Sequence, residues 1–290
     1  MGHGQSTHLS VTRSRVGRWE IHALRTTGAP GDRPPIVLVH GWGVAGGYLY
    51  PLAGELATDF TVYVPDLPGH GLSSKPRHAL TLDELADTLA AWMRASGIEK
   101  PVLVGQSFGC QIAIRLAEQH PGRLRALVLI GPTVDARARN LPRQILRLML
   151  ASVWEPVSLL PLIAGDYVRM GLRRLAGELR WMFADAIERR LPGITVPSLV
   201  IRGARDAVVP RQWASEVAAL LGGADVVPIP GGGHAVQYGH PGAVAQTIRD
   251  FVGVVVSGRN SPVKDCVRSD DPLTSAPCPS PDPISYLRPS

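Results

Sequence analysis

Two kinds of apolar pattern alternate along the chain. Short continuous runs rich in β-branched residues occur at 35–39, 60–65, 102–104, 124–130, 198–202 and 226–229. A run of this length bounded by Gly, Pro or Asp predicts a strand buried on both faces. Segments 8–13 and 18–25 read as two further short strands, closed by the turn residues Gly28-Ala29-Pro30-Gly31. Between the runs, at 82–95, after 107, at 212–221 and at 243–252, apolar residues recur every three or four positions, the period of a helix with one buried side. Strands alternating with helices of this length predict an α/β fold: a mainly parallel, eight-stranded sheet with helices on both faces. In such a sheet, function collects at the C-terminal ends of the strands.

After the sixth strand the alternation stops. Residues 133–192 contain no strand-like run, and their apolar positions keep a helical period: Ile145, Leu148 and Met149, then Leu159, Leu160 and Ile163, then Leu172, Leu175, Leu179 and Met182. The insertion is expected to form a helical lid over the C-terminal edge of the sheet. The expected organisation is a flexible leader at 1–7, an α/β core in two pieces at 8–132 and 193–256, the lid at 133–192, and a tail at 257–290. The tail is rich in Pro, Ser and Asp, a composition that cannot bury a core, and it is expected to be disordered.

The third strand of the parallel series runs into Gly105-Gln106-Ser107-Phe108-Gly109 and then into a helical pattern. A G-x-S-x-G segment in that context is a sharp strand-to-helix turn with the serine at its tip, the glycines removing side chains that would block the bend. The Phe108 amide, in the first helical turn, has no intrahelical partner and can face a developing oxyanion. A serine hydroxyl is a weak nucleophile at neutral pH and needs a base, itself oriented by a third group. Asp206 lies just past the strand at 198–202, and His234 follows Gly231-Gly232-Gly233 after the last strand, giving the chain order Ser, Asp, His. Asp135, shortly after Gly131-Pro132-Thr133, is a rival acid, and His240 a rival base.

These segments resemble the α/β-hydrolase fold family, in the lid-bearing subgroup that includes esterases, carbon–carbon bond hydrolases, dehalogenases and epoxide hydrolases; the resemblance spans residues 8–256. It implies Ser107 as nucleophile, His234 as general base and then acid, and Asp206 as the orienting carboxylate. His40-Gly41-Trp42-Gly43 resembles the family's H-G-x motif, which implies an oxyanion hole formed by the backbone amides of Trp42 and Phe108. Dehalogenases and epoxide hydrolases of this fold carry Asp at the nucleophile position, so Ser107 argues against both. The implied activity is a serine hydrolase that cleaves an ester, lactone or thioester of a small to medium, largely apolar substrate through an acyl-enzyme on Ser107. Open alternatives on the same triad are a carbon–carbon bond hydrolase of vinylogous diketones, or a cofactor-free lyase, acyltransferase or perhydrolase. His40, Trp154, Met170, Trp181, Met182 and Phe183 are candidates to line the pocket, while His40 and His70 are also candidates to brace loops.

Composition trims the list of partners. The net charge of +6 comes from Arg scattered over the chain rather than from a basic block, so nucleic-acid binding is not implied. No run of 18 or more apolar residues and no signal-peptide core is present, so no membrane is expected and the expected location is cytoplasmic. Cys110, Cys266 and Cys278 have neither framework nor metal-ligand spacing; no metal and no cofactor are expected, only a small-molecule substrate. Between 135 and 190 Arg outnumbers Asp plus Glu, which suits either an anionic substrate or a solvated helix surface.

Overall fold

The computed structural model describes residues 8–27 and 33–258. The expected leader at 1–7 and the expected tail beyond 258 lie outside the described residues, whereas Ser257 still belongs to the last helix.

A hairpin opens the fold: β1 (His8–Val16) pairs antiparallel with β2 (Trp19–Thr27) across a turn in which Gly17 has φ +55°. Six parallel strands follow, β3 (Ile36–Val39), β4 (Val62–Pro65), β5 (Val102–Gln106), β6 (Ala126–Ile130), β7 (Ser198–Gly203) and β8 (Asp225–Ile229). The spatial order is β1-β2-β4-β3-β5-β6-β7-β8, with β2 antiparallel to both of its neighbours and β3 to β8 mutually parallel. This is the α/β architecture that the alternating runs predict.

Because strand side chains alternate between faces, each continuous apolar run feeds two cores. Val37, Val39, Leu103 and Leu127 enter one cluster, and Ile36, Leu38, Val102 and Val128 enter the other. The first is covered by α2 (Leu82–Ala95), α3 (Phe108–Gln119) and α8 (Arg211–Leu220), and the second by α1 (Tyr50–Leu56), the single turn α9 (Val236–Gly239) and α10 (Pro241–Ser257). Helix α1 has no counterpart in the periodicity. With seven residues and a proline in its first turn it is too short to establish a period, and it forms because Leu52, Ala53 and Leu56 are buried.

Between β6 and β7 the chain forms α4 (Leu141–Ser152), α5 (Leu159–Met170), α6 (Leu172–Ala184) and the single turn α7 (Ile187–Arg190). The helical period is realised, but not every apolar position on it faces inward. Leu175 and Met182 are buried, while Met149, Leu160 and Leu172 are 64%, 56% and 86% exposed.

The strand order reverses beside β3. The chain steps outward from β3 to β4, then returns to place β5 on the other side of β3, which opens a crevice at their C-terminal ends. The register pairs Val39 with Gly105 and Gln106 with Ile130, so the residues just beyond β3, β5 and β6 emerge side by side.

Helix α2 shows how local chemistry fixes an element. The Thr81 hydroxyl accepts from the Glu84 amide, the Glu84 carboxylate accepts from the Thr81 amide, and Asp83 and Glu84 face the positive end of the helix dipole. Thr81→Ala is expected to cost about 1 kcal/mol, read as a lower urea midpoint at unchanged m-value.

Candidate active site

Ser107 sits between β5 and α3 with φ 53° and ψ −117°, a backbone conformation that side chains rarely adopt. Its amide donates to the Ile130 carbonyl at 2.9 Å, and its carbonyl accepts from Cys110 at 2.9 Å, so the turn is tied both to β6 and to the helix it starts. The flanking glycines are required by contact. A Cβ at Gly105 would lie 2.5 Å from the Gly109 carbonyl oxygen, and one at Gly109 would lie 2.4 Å from the Val39 oxygen and 2.6 Å from the His40 oxygen. Those obstacles are backbone and cannot swing aside. Cys110 is buried beneath the turn, where loss of solvent pushes its thiol well above the ordinary range, so it serves as a small inert residue.

The three residues separated along the chain meet at this turn. The Ser107 hydroxyl lies 3.0 Å from His234 Nε2, and His234 Nδ1 lies 2.9 Å from Asp206 Oδ2. The carboxylate can only accept, so Nδ1 carries the proton and Nε2 is free to accept from the serine. Asp206 Oδ1 accepts from the Val208 and Val209 amides at 2.8 and 3.0 Å, which fixes the carboxylate and leaves Oδ2 for the ring. Gly131, at the end of β6, makes room: a Cβ there would fall 3.1 Å from the imidazole and 3.4 Å from Asp206. Burial opposes charging of His234, but the charge and hydrogen bond of Asp206, with Glu155 adding to them, outweigh it and raise the ring above the ordinary histidine pKa.

The rival residues are occupied elsewhere. Asp135 caps a short turn through the Arg137 amide at 3.0 Å and pairs with Arg147 at 2.9 Å. His240 stands at the start of α10, with its ring near Gly231.

Gly41 and Trp42 enter the crevice next to Ser107; a Cβ on Gly41 would lie 3.4 Å from that of Ser107. The Gly41 amide is held by the Tyr48 hydroxyl at 2.7 Å, while no backbone carbonyl among the described residues accepts from the Trp42 or Phe108 amide. His40 turns away beneath this loop, fully buried. Its Nε2 accepts from the Leu67 amide and its Nδ1 donates to the Gly41 carbonyl, both at 3.1 Å. Burial, then the neighbouring His70, lower its pKa to about 3, so it stays neutral as a brace.

Above Ser107 a cavity of about 190 Å³ is lined by Trp42, Ser107 and His234 on the sheet side and by apolar residues of the inserted helices, among them Ile145, Leu148, Ile163 and Met182. Of the six residues expected around it, Met182 lines the cavity. His40 lies below the loop after β3, Met170 is buried, and Phe183 packs, partly buried, against the core. Trp154 is 46% exposed with the Arg205 guanidinium 3.9 Å above its ring, and Arg180 lies over Trp181. These two indoles find cationic partners instead.

Three site residues carry no signal in the sequence. Gln106 accepts from the Tyr48 hydroxyl and donates to the His234 carbonyl at 3.2 Å, linking the loop after β3 to the histidine loop. Glu155, between α4 and α5, accepts from the His234 amide at 2.5 Å and the Ala235 amide at 3.0 Å. A Cβ on Gly233 would strike that carboxylate at 2.4 Å, which explains a glycine just before the histidine. No pattern marks Tyr48, Gln106 or Glu155, because each acts through a partner distant along the chain.

Comparison with known proteins places this geometry. Residues 36–247 match the model of the alpha/beta hydrolase family. A pimeloyl-[acyl-carrier protein] methyl ester esterase of Xanthomonas oryzae pv. oryzae is 30% identical over 252 residues, covering 78% of this chain and 97% of that protein. Among solved structures, a bacterial membrane phospholipase A superposes with a TM-score of 0.70 at 26% identity over 86% of this chain and 87% of its own. The enol-lactonase from Burkholderia xenovorans LB400 shares the fold at a TM-score of 0.68 and 23% identity, over 83% of this chain and 100% of its own.

In an NMR titration, the His234 imidazole is expected to titrate above 6.5. Asp206→Asn and Glu155→Gln each remove a negative charge that favours the imidazolium, so both are expected to move the midpoint down, Asp206→Asn the further.

Proposed function

We propose that this chain, which belongs to the alpha/beta hydrolase family, is a serine esterase with Ser107 as nucleophile, His234 as general base and acid, and Asp206 as the orienting carboxylate. The observation that carries the reading is the continuous hydrogen-bonded line from the Ser107 hydroxyl through His234 to Asp206 at the floor of an apolar cavity.

As the Ser107 oxygen attacks the ester carbonyl carbon, His234 Nε2 takes the hydroxyl proton and Asp206 stabilises the imidazolium. The negative charge that forms on the carbonyl oxygen is received by the Trp42 and Phe108 amides, preorganised donors that need no reorientation during the reaction. Collapse of the tetrahedral species releases the alcohol, protonated by His234. Water, deprotonated by the same ring, then frees the acid from Ser107. Glu155 holds the histidine loop while this happens and keeps the ring in line.

The inserted helices act as the lid. Their apolar side chains form the wall of the cavity above Ser107 and give the substrate an apolar surface to lie against. At about 190 Å³ the cavity is smaller than the roughly 300–1,000 Å³ of sites for drug-sized ligands. It therefore takes a small ester or one apolar arm of a medium one, in agreement with relatives that act on a methyl ester. Lactones and thioesters present the same carbonyl to the same groups and are the neighbouring substrate classes.

A panel of methyl and other small alkyl esters, lactones, thioesters and vinylogous diketones tests the proposal, with products identified. Ester hydrolysis is expected to dominate, and Ser107→Ala to lower kcat by about 10⁴- to 10⁶-fold with the melting curve unchanged. Activity within a few-fold of wild type would remove Ser107 from the reaction. Asp206→Asn is expected to lower kcat about 10⁴-fold, while Asp135→Asn changes it only a few-fold; the reverse ranking would make Asp135 the partner of His234. Because His234 must be neutral to accept the proton, the acid limb of kcat/KM is expected above pH 6.5, with activity falling as pH drops through the raised pKa.

A further inference from the structure

Helix α4 is apolar on two sides. Leu141, Ile145 and Leu148 border the cavity. Leu146, Met149, Leu150 and Val153, at the spacing i, i+3, i+4, i+7, form a second stripe and are 56%, 64%, 55% and 75% exposed. The stripe runs on into the α4–α5 connection at Val157, 78% exposed, and into Leu160. One apolar face is what a helix needs to pack on a core; a second, contiguous and exposed, marks a surface that meets something else.

The charges on this segment are sorted by direction. Between residues 136 and 184 the carboxylates are Glu155, Asp166 and Glu178, and all are engaged inward: Glu155 with the His234 and Ala235 amides, Asp166 with the Ala45 amide at 2.9 Å, and Glu178 with the His70 ring at 3.1 Å. Arg143 on α4 remains exposed, as does Arg205, whose guanidinium lies 3.9 Å over the ring of Trp154 in the α4–α5 connection. The exposed side of α4 and of the α4–α5 connection thus offers apolar surface and positive charge, and its one carboxylate, Glu155, is turned to the histidine loop.

We propose that α4 and the α4–α5 connection dock on an anionic lipid surface. The stripe lies at the boundary of headgroups and acyl chains, with the exposed arginines among the headgroup phosphates. No helix among the described residues is long and apolar enough to cross a membrane, so the contact is peripheral. A second copy of this chain fits less well, because a symmetric pairing of stripes sets arginine against arginine. The inner side of the same helix lines the cavity, so an ester dissolved in the lipid layer would reach Ser107 past Leu141, Ile145 and Leu148. That last step rests on the serine esterase reading; the docking does not.

Flotation of the full chain with vesicles tests the docking, using phosphatidylcholine alone and phosphatidylcholine mixed with phosphatidylglycerol. The chain is expected to float with the mixed vesicles, to bind the neutral ones about tenfold or more weakly, and to be released as salt is raised. Leu146→Ser, Met149→Ser and Val153→Ser combined are expected to weaken binding about tenfold or more, while kcat/KM on a water-soluble short ester stays within about twofold, since none of these residues lines the cavity. Arg143→Glu with Arg205→Glu is expected to weaken binding to the mixed vesicles alone, by about tenfold or more, and leaves the apolar stripe intact should the serine variant fold poorly. Absence of flotation with either vesicle, or equal binding by wild type and both variants, overturns the proposal. So does gel filtration in which wild type runs as a dimer and the serine variant as a monomer, or binding only to an acidic protein. Vesicle binding without hydrolysis of the soluble ester would sink the esterase reading and leave the docking standing.

Discussion

Everything in the site hangs on how closely α3 approaches the end of β3. With no side chain at Gly109, the first turn of the helix presses against the Val39 and His40 carbonyls, and with none at Gly105 the strand can double back onto the helix it feeds. That contact forces Ser107 into its unusual backbone conformation and lifts its hydroxyl clear of the sheet. It also brings the Phe108 amide and the loop after β3 to one point, since Val39 and Gly105 are already register partners. Strain of this kind persists only where its surroundings over-determine it. Here the Ser107 amide bound to Ile130 and the Cys110 amide bound back to Ser107 supply that hold.

A second constraint ties the inserted helices to this arrangement. Glu155, Asp166 and Glu178 reach down onto the histidine loop, the loop after β3 and His70, and Trp42 donates from its indole to the Leu175 carbonyl at 3.0 Å. Carboxylates withdrawn from water, as Asp166 and Glu178 are and Glu155 is in part, are costly unless their acceptors are satisfied. Each of these is satisfied by a group of the core, so the insertion is registered by polar contacts while its apolar residues shape the cavity. Turning Glu155 inward also leaves the exposed side of α4 and its connection to α5 with leucine, valine and arginine, so the contact that steadies the histidine loop and the surface left outside have one origin.

The fold was legible because its signals are local. Continuous apolar runs such as that at 102–104 are buried on both faces in any parallel sheet, and the glycine-flanked serine announces its own turn. Asp206 and His234 were legible because each follows a strand at the edge where the sheet collects function. The pocket is less legible. Trp154, Met170, Trp181 and Phe183 have the right chemistry to line a cavity, but a helical period says only that a side is apolar, not which of two apolar sides faces the sheet. On α4 both sides qualify, and only packing chooses Leu148 for the cavity and leaves Met149 outside.

The sequence by itself determined the strands, their alternation with helices, the sharp turn at Ser107 and the order of the three side chains, because periodicity, glycine conformational freedom and hydrogen-bonding chemistry act over a few neighbouring residues. Only the tertiary structure decided that Asp206 rather than Asp135 meets His234, that Glu155 and Gln106 steady the histidine loop, and which residues enclose the cavity. Those outcomes depend on distances between groups from about 30 to 130 positions apart, which are set by strand order and register, and no local pattern encodes such a distance.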